Sequence, residues 1–112
     1  MAKISIVVPV YFNELSLPSL FDRLFALTRT NDHEFEFIFV DDGSKDKSHA
    51  ILLSYAEKDK RVKVIKLSRN FGSFVATLAG IRNMTGDCVT VISADLQDPP
   101  EMILDMIKEW QS

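Results

Sequence analysis

A doubly wound α/β fold, with a mainly parallel sheet and helices on both of its faces, is the architecture this sequence predicts. Three observations predict it. Four short runs, Lys3 to Val10, Phe35 to Val40, Val62 to Leu67 and Cys88 to Ile92, are almost continuously apolar and β-branched, the pattern of strands buried on both faces. Segments with helical spacing of apolar residues separate these runs. The resulting alternation of strand and helix implies right-handed crossovers, which place helices over both faces of a parallel sheet.

Each helix has its own signal. The first places Leu17, Leu20, Phe21, Leu24 and Phe25 on one stripe, and the second Ile51, Leu52, Tyr55 and Ala56. The third combines Phe74, Val75, Leu78 and Ile81 with the small residues Ala76, Ala79 and Gly80, which suit close packing on a sheet. A fourth stripe runs through Met102, Ile103, Met106, Ile107 and Trp110. Start signals precede three of them: Ser16 before Leu17 and Pro18, Ser44 before Lys45 and Asp46, and Asp98 before Pro99 with Glu101 three residues on. All three read as N-caps, the last as a capping-box variant. The charge-rich stretch from Glu57 to Lys63 reads as a solvated turn.

Composition bounds the function. A chain of 112 residues, 46% apolar and 26% charged, is expected to form one soluble globular unit. Its formal net charge of −3 offers no basic face for displacing counterions from nucleic acid, so no nucleic-acid partner is expected. Cys88 is the single cysteine. It cannot form an internal disulfide, and within an apolar strand it reads as a buried structural thiol in a reducing compartment. No stretch approaches the ~20 apolar residues that span a bilayer, and the N-terminus lacks a signal-peptide cleavage site. A cytoplasmic location is expected.

In an open α/β sheet, ligands bind beyond the carboxyl ends of the strands. The four segments that follow the strands here are Pro9 to Glu14, Asp41 to Ser44, Ser68 to Gly72, and Asp95 to Asp98. All are polar, and parallel strands bring them to one edge. Each has a structural reading beside a functional one. Asp41 and Asp42 form a strand-to-helix turn, or one carboxylate accepts the N3–H of a uracil while its neighbour approaches the ribose or the metal. Tyr11 is a core residue or packs on a base. Glu14 caps a helix or accepts ribose hydroxyls. Arg69 is a surface residue or meets a diphosphate. Asp95 and Gln97, two apart in an extended segment, point to the same side, and their oxygens suit Mg²⁺ or Mn²⁺. Helix capping accounts for Asp98. His33 and His49 are isolated and read as surface residues.

Taken together, Val8-Pro9-Val10-Tyr11-Phe12-Asn13-Glu14, Val40 to Asp46, Leu67 to Gly72 and Ala94 to Glu101 resemble the family 2 glycosyltransferases of GT-A fold, whose nucleotide-binding half is Rossmann-like. The subgroup they resemble most is the polyprenyl-phosphate sugar transferases. The resemblance covers essentially the whole chain. It implies that Pro9, Tyr11, Glu14 and Asp42 contact the nucleoside with Asp41 beside them, that Ala94 and Asp95 lie along the sugar nucleotide, and that Asp95 with Gln97 binds the divalent metal.

Two departures from the family pattern are visible: Ser93 stands where the common motif has an acid, and Phe12 adds a residue between Tyr11 and Asn13. The family continues past this point with an acceptor-binding half, a general base and commonly two membrane helices. Residues 1–112 are therefore expected to be the nucleotide-sugar-binding N-terminal part, with the base beyond Ser112 and the chain alone inactive. In the complete protein, the resemblance implies metal-dependent inverting transfer of a hexose from a UDP- or GDP-sugar to polyprenyl phosphate at the cytoplasmic face of a membrane. Apolar surface that the missing half would cover makes homo-oligomer formation an expectation.

Two rival α/β modules fall on placement. A phospho-acceptor signalling domain wants its acidic pair after the first strand, where this chain has Val10-Tyr11-Phe12. A dinucleotide-binding domain wants a glycine-rich turn there, and Pro9 to Glu14 contains no glycine.

Overall fold

The computed structural model describes residues 3–29, 33–92 and 94. Within them the chain runs β1 (Lys3–Val10), α1 (Leu17–Thr28), β2 (Glu34–Asp41), α2 (Ser48–Lys58), β3 (Val62–Lys66), α3 (Ser73–Arg82) and β4 (Cys88–Val91). All strand pairs are parallel, in the order β3-β2-β1-β4. The first three strands are laid down in one direction with α1 and α2 on one face. The chain then crosses behind β1 through α3, on the other face, to place β4. The predicted fourth helix, with Asp98 as its cap, lies outside the described residues.

Alternation along the strands divides the core in two. Ile4, Ile6, Val8 and Val10 of β1 join Phe35, Phe37 and Phe39 of β2 under α1 and α2, whose Leu17, Leu20, Phe21, Leu24 and Leu52 are buried with them. Phe21 stacks on Tyr55 with ring centroids 3.8 Å apart, joining the two helices. On the other face Val7, Ile38 and Val40 meet Ala76. The predicted role of small residues in α3 holds, because a Cβ on Gly80 would overlap the Val7 side chain.

Among the described strands, burial on both faces holds for the central β1 and β2 alone. β3 and β4 flank them, so Val89 and Val91 stay exposed, as do Phe74 and Leu78 on the outer side of α3. Cys88 is partly buried, and burial, with the charge of Asp87, pushes its thiol pKa up. The stretch Glu57 to Lys63 is less solvated than the sequence implied. Arg61 pairs with Asp59 at 2.7 Å and lies over the rings of Phe25 and Phe37, each 5.6 Å away.

The amino-terminal edge of the sheet is tied by a buried carboxylate. Glu36 of β2 is 2% exposed and accepts hydrogen bonds from the Ser5 hydroxyl, the Thr85 amide and hydroxyl, and Lys63 Nζ at 2.7 Å. Burial opposes its ionisation, but the hydrogen bonds from Lys63, Ser5 and Thr85 outweigh burial and lower its pKa from 4.5 to about 2. This hub pins the connection from α3 to β4 across β1 and β2.

Candidate functional site

The order β3-β2-β1-β4 reverses at β1, whose neighbours on either side are reached through helices on opposite faces. Such a switch point leaves a crevice at the carboxyl ends of the strands. A cleft of about 440 Å³ lies at that edge. Pro9, Val10 and Tyr11 line it from the end of β1, Val91 and Ile92 from the end of β4 and just beyond it, Asp42 from the turn after β2, Asn70 and Gly72 from the loop after β3, and Ser73 and Thr77 from α3. Its walls are mainly apolar with a few converging polar groups, the composition of a small-molecule site.

Asp42 organises one wall. It is 2% exposed, and its Oδ1 accepts the Phe71 amide at 2.8 Å while Oδ2 accepts the Gly72 amide at 3.0 Å and Asn70 Nδ2 at 2.9 Å. A carboxylate offers about four acceptor positions. Three are taken by the loop, which leaves about one of the four unfilled. The turn beneath it depends on Gly43, at φ +78°: a Cβ there would sit 2.5 Å from Arg69 C and Asn70 N, so backbone approaches backbone with no room for a side chain.

Asp41 goes the other way. Successive strand residues alternate, and Asp41 follows Phe37 and Phe39 toward the α2 face, where it is fully buried. Its Oδ1 accepts the Ser44 amide at 3.0 Å and its Oδ2 lies 3.4 Å from His49 Nδ1. The expectation of an isolated surface His49 is therefore corrected: the side chain is 26% exposed and faces a buried acid.

The loop from β1 to α1 is held from below. Phe12 has a left-handed φ of 54°, uncommon for an aromatic residue. Its amide donates to Ser44 Oγ at 2.9 Å, the Asn13 amide to Ser48 Oγ at 2.9 Å, and the Glu14 amide to Asp46 Oδ2 at 3.4 Å. Because Ser44 is spent on Phe12, it does not cap α2 as predicted. The helix starts at Ser48, whose amide is accepted by Asp46 Oδ1 at 3.0 Å. Ser16 does precede α1 but makes no capping bond: its hydroxyl donates to the Ala94 carbonyl at 2.6 Å and the Asn13 carbonyl at 3.3 Å.

Of the residues singled out from sequence, Pro9, Tyr11 and Asp42 line the cleft. Glu14, Asp41, Arg69 and Ala94 are not among its lining residues. Arg69 lies 4.9 Å from the Phe71 ring centroid, and Ala94, 2% exposed, anchors through its carbonyl the chain leaving β4. Asp95 and Gln97 lie outside the described residues, as does Ser93. Sequence reasoning placed the segment Ser68 to Gly72 at this edge but gave Asn70 no role of its own, and it passed over Ser73 and Thr77. Among the described residues no group of three or more His, Cys, Asp or Glu side chains could hold a metal ion. No described helix is long and apolar enough to cross a membrane.

Comparison with known proteins adds to this geometry. The model of the family described as glycosyl transferase family 2 matches residues 5–112. An uncharacterized glycosyltransferase of Bacillus subtilis is 48% identical over 107 residues, 96% of this chain and 33% of that protein. An undecaprenyl-phosphate 4-deoxy-4-formamido-L-arabinose transferase of Photorhabdus laumondii is 43% identical, covering 95% of this chain and 33% of that one. A prophage bactoprenol glucosyl transferase homolog of Escherichia coli is 38% identical, over 98% and 36%. The chain thus spans about a third of the length of the curated relatives it matches.

Among solved structures, a mannosyltransferase of Pyrobaculum calidifontis in complex with GDP-Man and Mn²⁺ superposes with a TM-score of 0.82 at 20% identity, covering 99% of this chain and 32% of that one. The S. aureus TarS structure in complex with UDP gives 0.71 at 26% identity, over 98% and 33%. The fold is that of the GT-A glycosyltransferases.

Proposed function

Because the chain belongs to glycosyl transferase family 2, we propose that its cleft is the donor site of an enzyme that moves a hexose from a UDP- or GDP-sugar to polyprenyl phosphate with inversion, at the cytoplasmic face of a membrane. The observation that carries this reading is the cleft at the β1/β4 switch point, with the Asp42 carboxylate among its lining residues. A base lying between Tyr11 and the Asn70 to Gly72 loop meets an aromatic ring on one side and a carboxylate acceptor at its edge. A charge-assisted hydrogen bond there contributes about 1.5–3 kcal/mol, because the carboxylate is shielded from water. Relatives whose names specify undecaprenyl-phosphate or bactoprenol acceptors support the lipid acceptor.

In the inverting step the acceptor oxygen attacks the anomeric carbon and the nucleoside diphosphate leaves. An ionised lipid phosphate needs no deprotonation, whereas other acceptors need a base, which we place beyond Ser112. The residues of this chain bind and orient the donor. Asp95 and Gln97 would hold a divalent ion, Mg²⁺ or Mn²⁺, which supplies charge to the departing diphosphate when bound. The Ser16–Ala94 hydrogen bond holds the backbone at the residue before Asp95.

Calorimetric titration of the 112-residue chain with UDP and with GDP, with and without Mn²⁺, tests the reading. One nucleotide is expected to bind in the high-micromolar range, with at least tenfold tighter binding in Mn²⁺ (roughly 1.4 kcal/mol). Failure of both nucleotides to bind a folded chain would remove the donor assignment.

A further inference from the structure

We propose that His49 is a positioning residue for the donor cleft, acting through Asp41 on the turn that holds the Tyr11 loop. The inference rests on the donor reading of the cleft, and it starts from an unmet acceptor. Asp41 is fully buried and gives one oxygen to the Ser44 amide. Its other oxygen, Oδ2, has no hydrogen-bond partner, and neither has the buried His49 Nδ1 that lies 3.4 Å from it. A buried carboxylate oxygen without a donor is costly, and a proton on the facing imidazole nitrogen relieves it.

The consequence reaches the cleft through three contacts. Asp41 holds the Ser44 amide, Ser44 Oγ holds the Phe12 amide, and Phe12, in its left-handed conformation, follows Tyr11 on the cleft wall. Ser48 and Asp46, from the same segment, hold the next two amides of that loop. A backbone conformation that an aromatic residue rarely adopts persists only where its surroundings enforce it, and here the segment from Ser44 to Ser48 does so. The pair His49–Asp41 sits at the base of that segment.

A proton on Nδ1, which the neutral Nδ1–H tautomer carries as well as the imidazolium, meets Asp41 Oδ2 and holds the turn, and the Tyr11 loop with it.

The test compares wild type, His49→Phe and His49→Gln by amide NMR, with affinities for UDP-N-acetylglucosamine and GDP-mannose measured on each. His49→Phe removes the donor, and it is expected to shift the Ser44 and Phe12 amide resonances and to weaken sugar-nucleotide binding roughly two- to fivefold. His49→Gln keeps an N–H donor, and it is expected to restore both toward wild type, a rescue that a merely structural histidine would not give. Ser44 and Phe12 amides unmoved in His49→Phe, or equal effects of the two substitutions, would overturn the proposal. Should His49→Phe fail to fold, the nitrogen resonances of the wild-type imidazole decide: Nδ1 carrying the proton supports the proposal, and a bare Nδ1 overturns it. Coupled amides with no sugar nucleotide bound by any of the three would overturn the donor reading and leave the coupling of His49 to the loop established.

Discussion

Asp42→Asn is expected to weaken nucleotide binding by at least thirtyfold and to destabilise the fold by about 2–4 kcal/mol, although it changes a single atom type. The reason lies in the direction of its hydrogen bonds. Both carboxylate oxygens accept: one from the Phe71 amide, the other from the Gly72 amide and Asn70 Nδ2. An asparagine replaces one acceptor with an NH₂ that has only protons to offer. Whichever way it turns, it presents donors to donors, and the loop from Asn70 to Gly72 leaves its place. Because that loop forms one wall of the cleft, stability and binding fall together. Urea unfolding, with the slope unchanged, and calorimetric titration read the two losses separately. Wild-type binding in Asp42→Asn would mean that the loop does not shape the site.

Glu36→Ala is expected to cost about 3 kcal/mol, near the lower end for breaking a buried charge pair, because Lys63 is half exposed and regains water while Ser5 and the Thr85 amide do not. The same carboxylate sets part of the acid response. Its folded pKa is about 2 against an ordinary 4.5, so the unfolded chain binds a proton first as pH falls. Its contribution is complete above pH 4.5 and is lost as pH drops from there to about 2. The stability difference between wild type and Glu36→Ala is therefore expected to narrow across that window and to be flat above it. Since Glu36 stands at the edge of the sheet opposite the cleft, nucleotide affinity at neutral pH is expected to change little. A gap that widens with acid would contradict the assignment of Glu36 as an ionised hub.

Much of this was legible in the chain itself. The β-branched runs located the four described strands, and the apolar stripes located the three described helices, because in both cases the signal is carried by neighbours in sequence. Burial of β3 and β4 was overestimated, since strand order, which a run of apolar residues does not encode, decides which of the described strands are flanked on both sides. The site was read in part. Pro9, Tyr11 and Asp42 sit where the carboxyl-end rule puts them. Asp41 stands at the same strand end but faces away from the cleft, because alternation carries it to the side of Phe37 and Phe39, where His49 lies. The partners of these acids were hidden for another reason. His49 and Asn70 meet Asp41 and Asp42 through turns whose course depends on Gly43 and on the crossing of two loops far apart in sequence.

The central claim is that a nucleotide occupies the cleft between the ends of β1 and β4. Amide chemical-shift mapping of the 112-residue chain during titration with UDP or GDP in the presence of Mn²⁺ tests it most directly. Perturbations are expected at Tyr11, Asp42, the segment from Asn70 to Ser73, Thr77 and Val91, with Lys3, Glu36 and Lys63 at the far edge unmoved. Shifts centred on that far edge, or none at saturating nucleotide, would contradict the account.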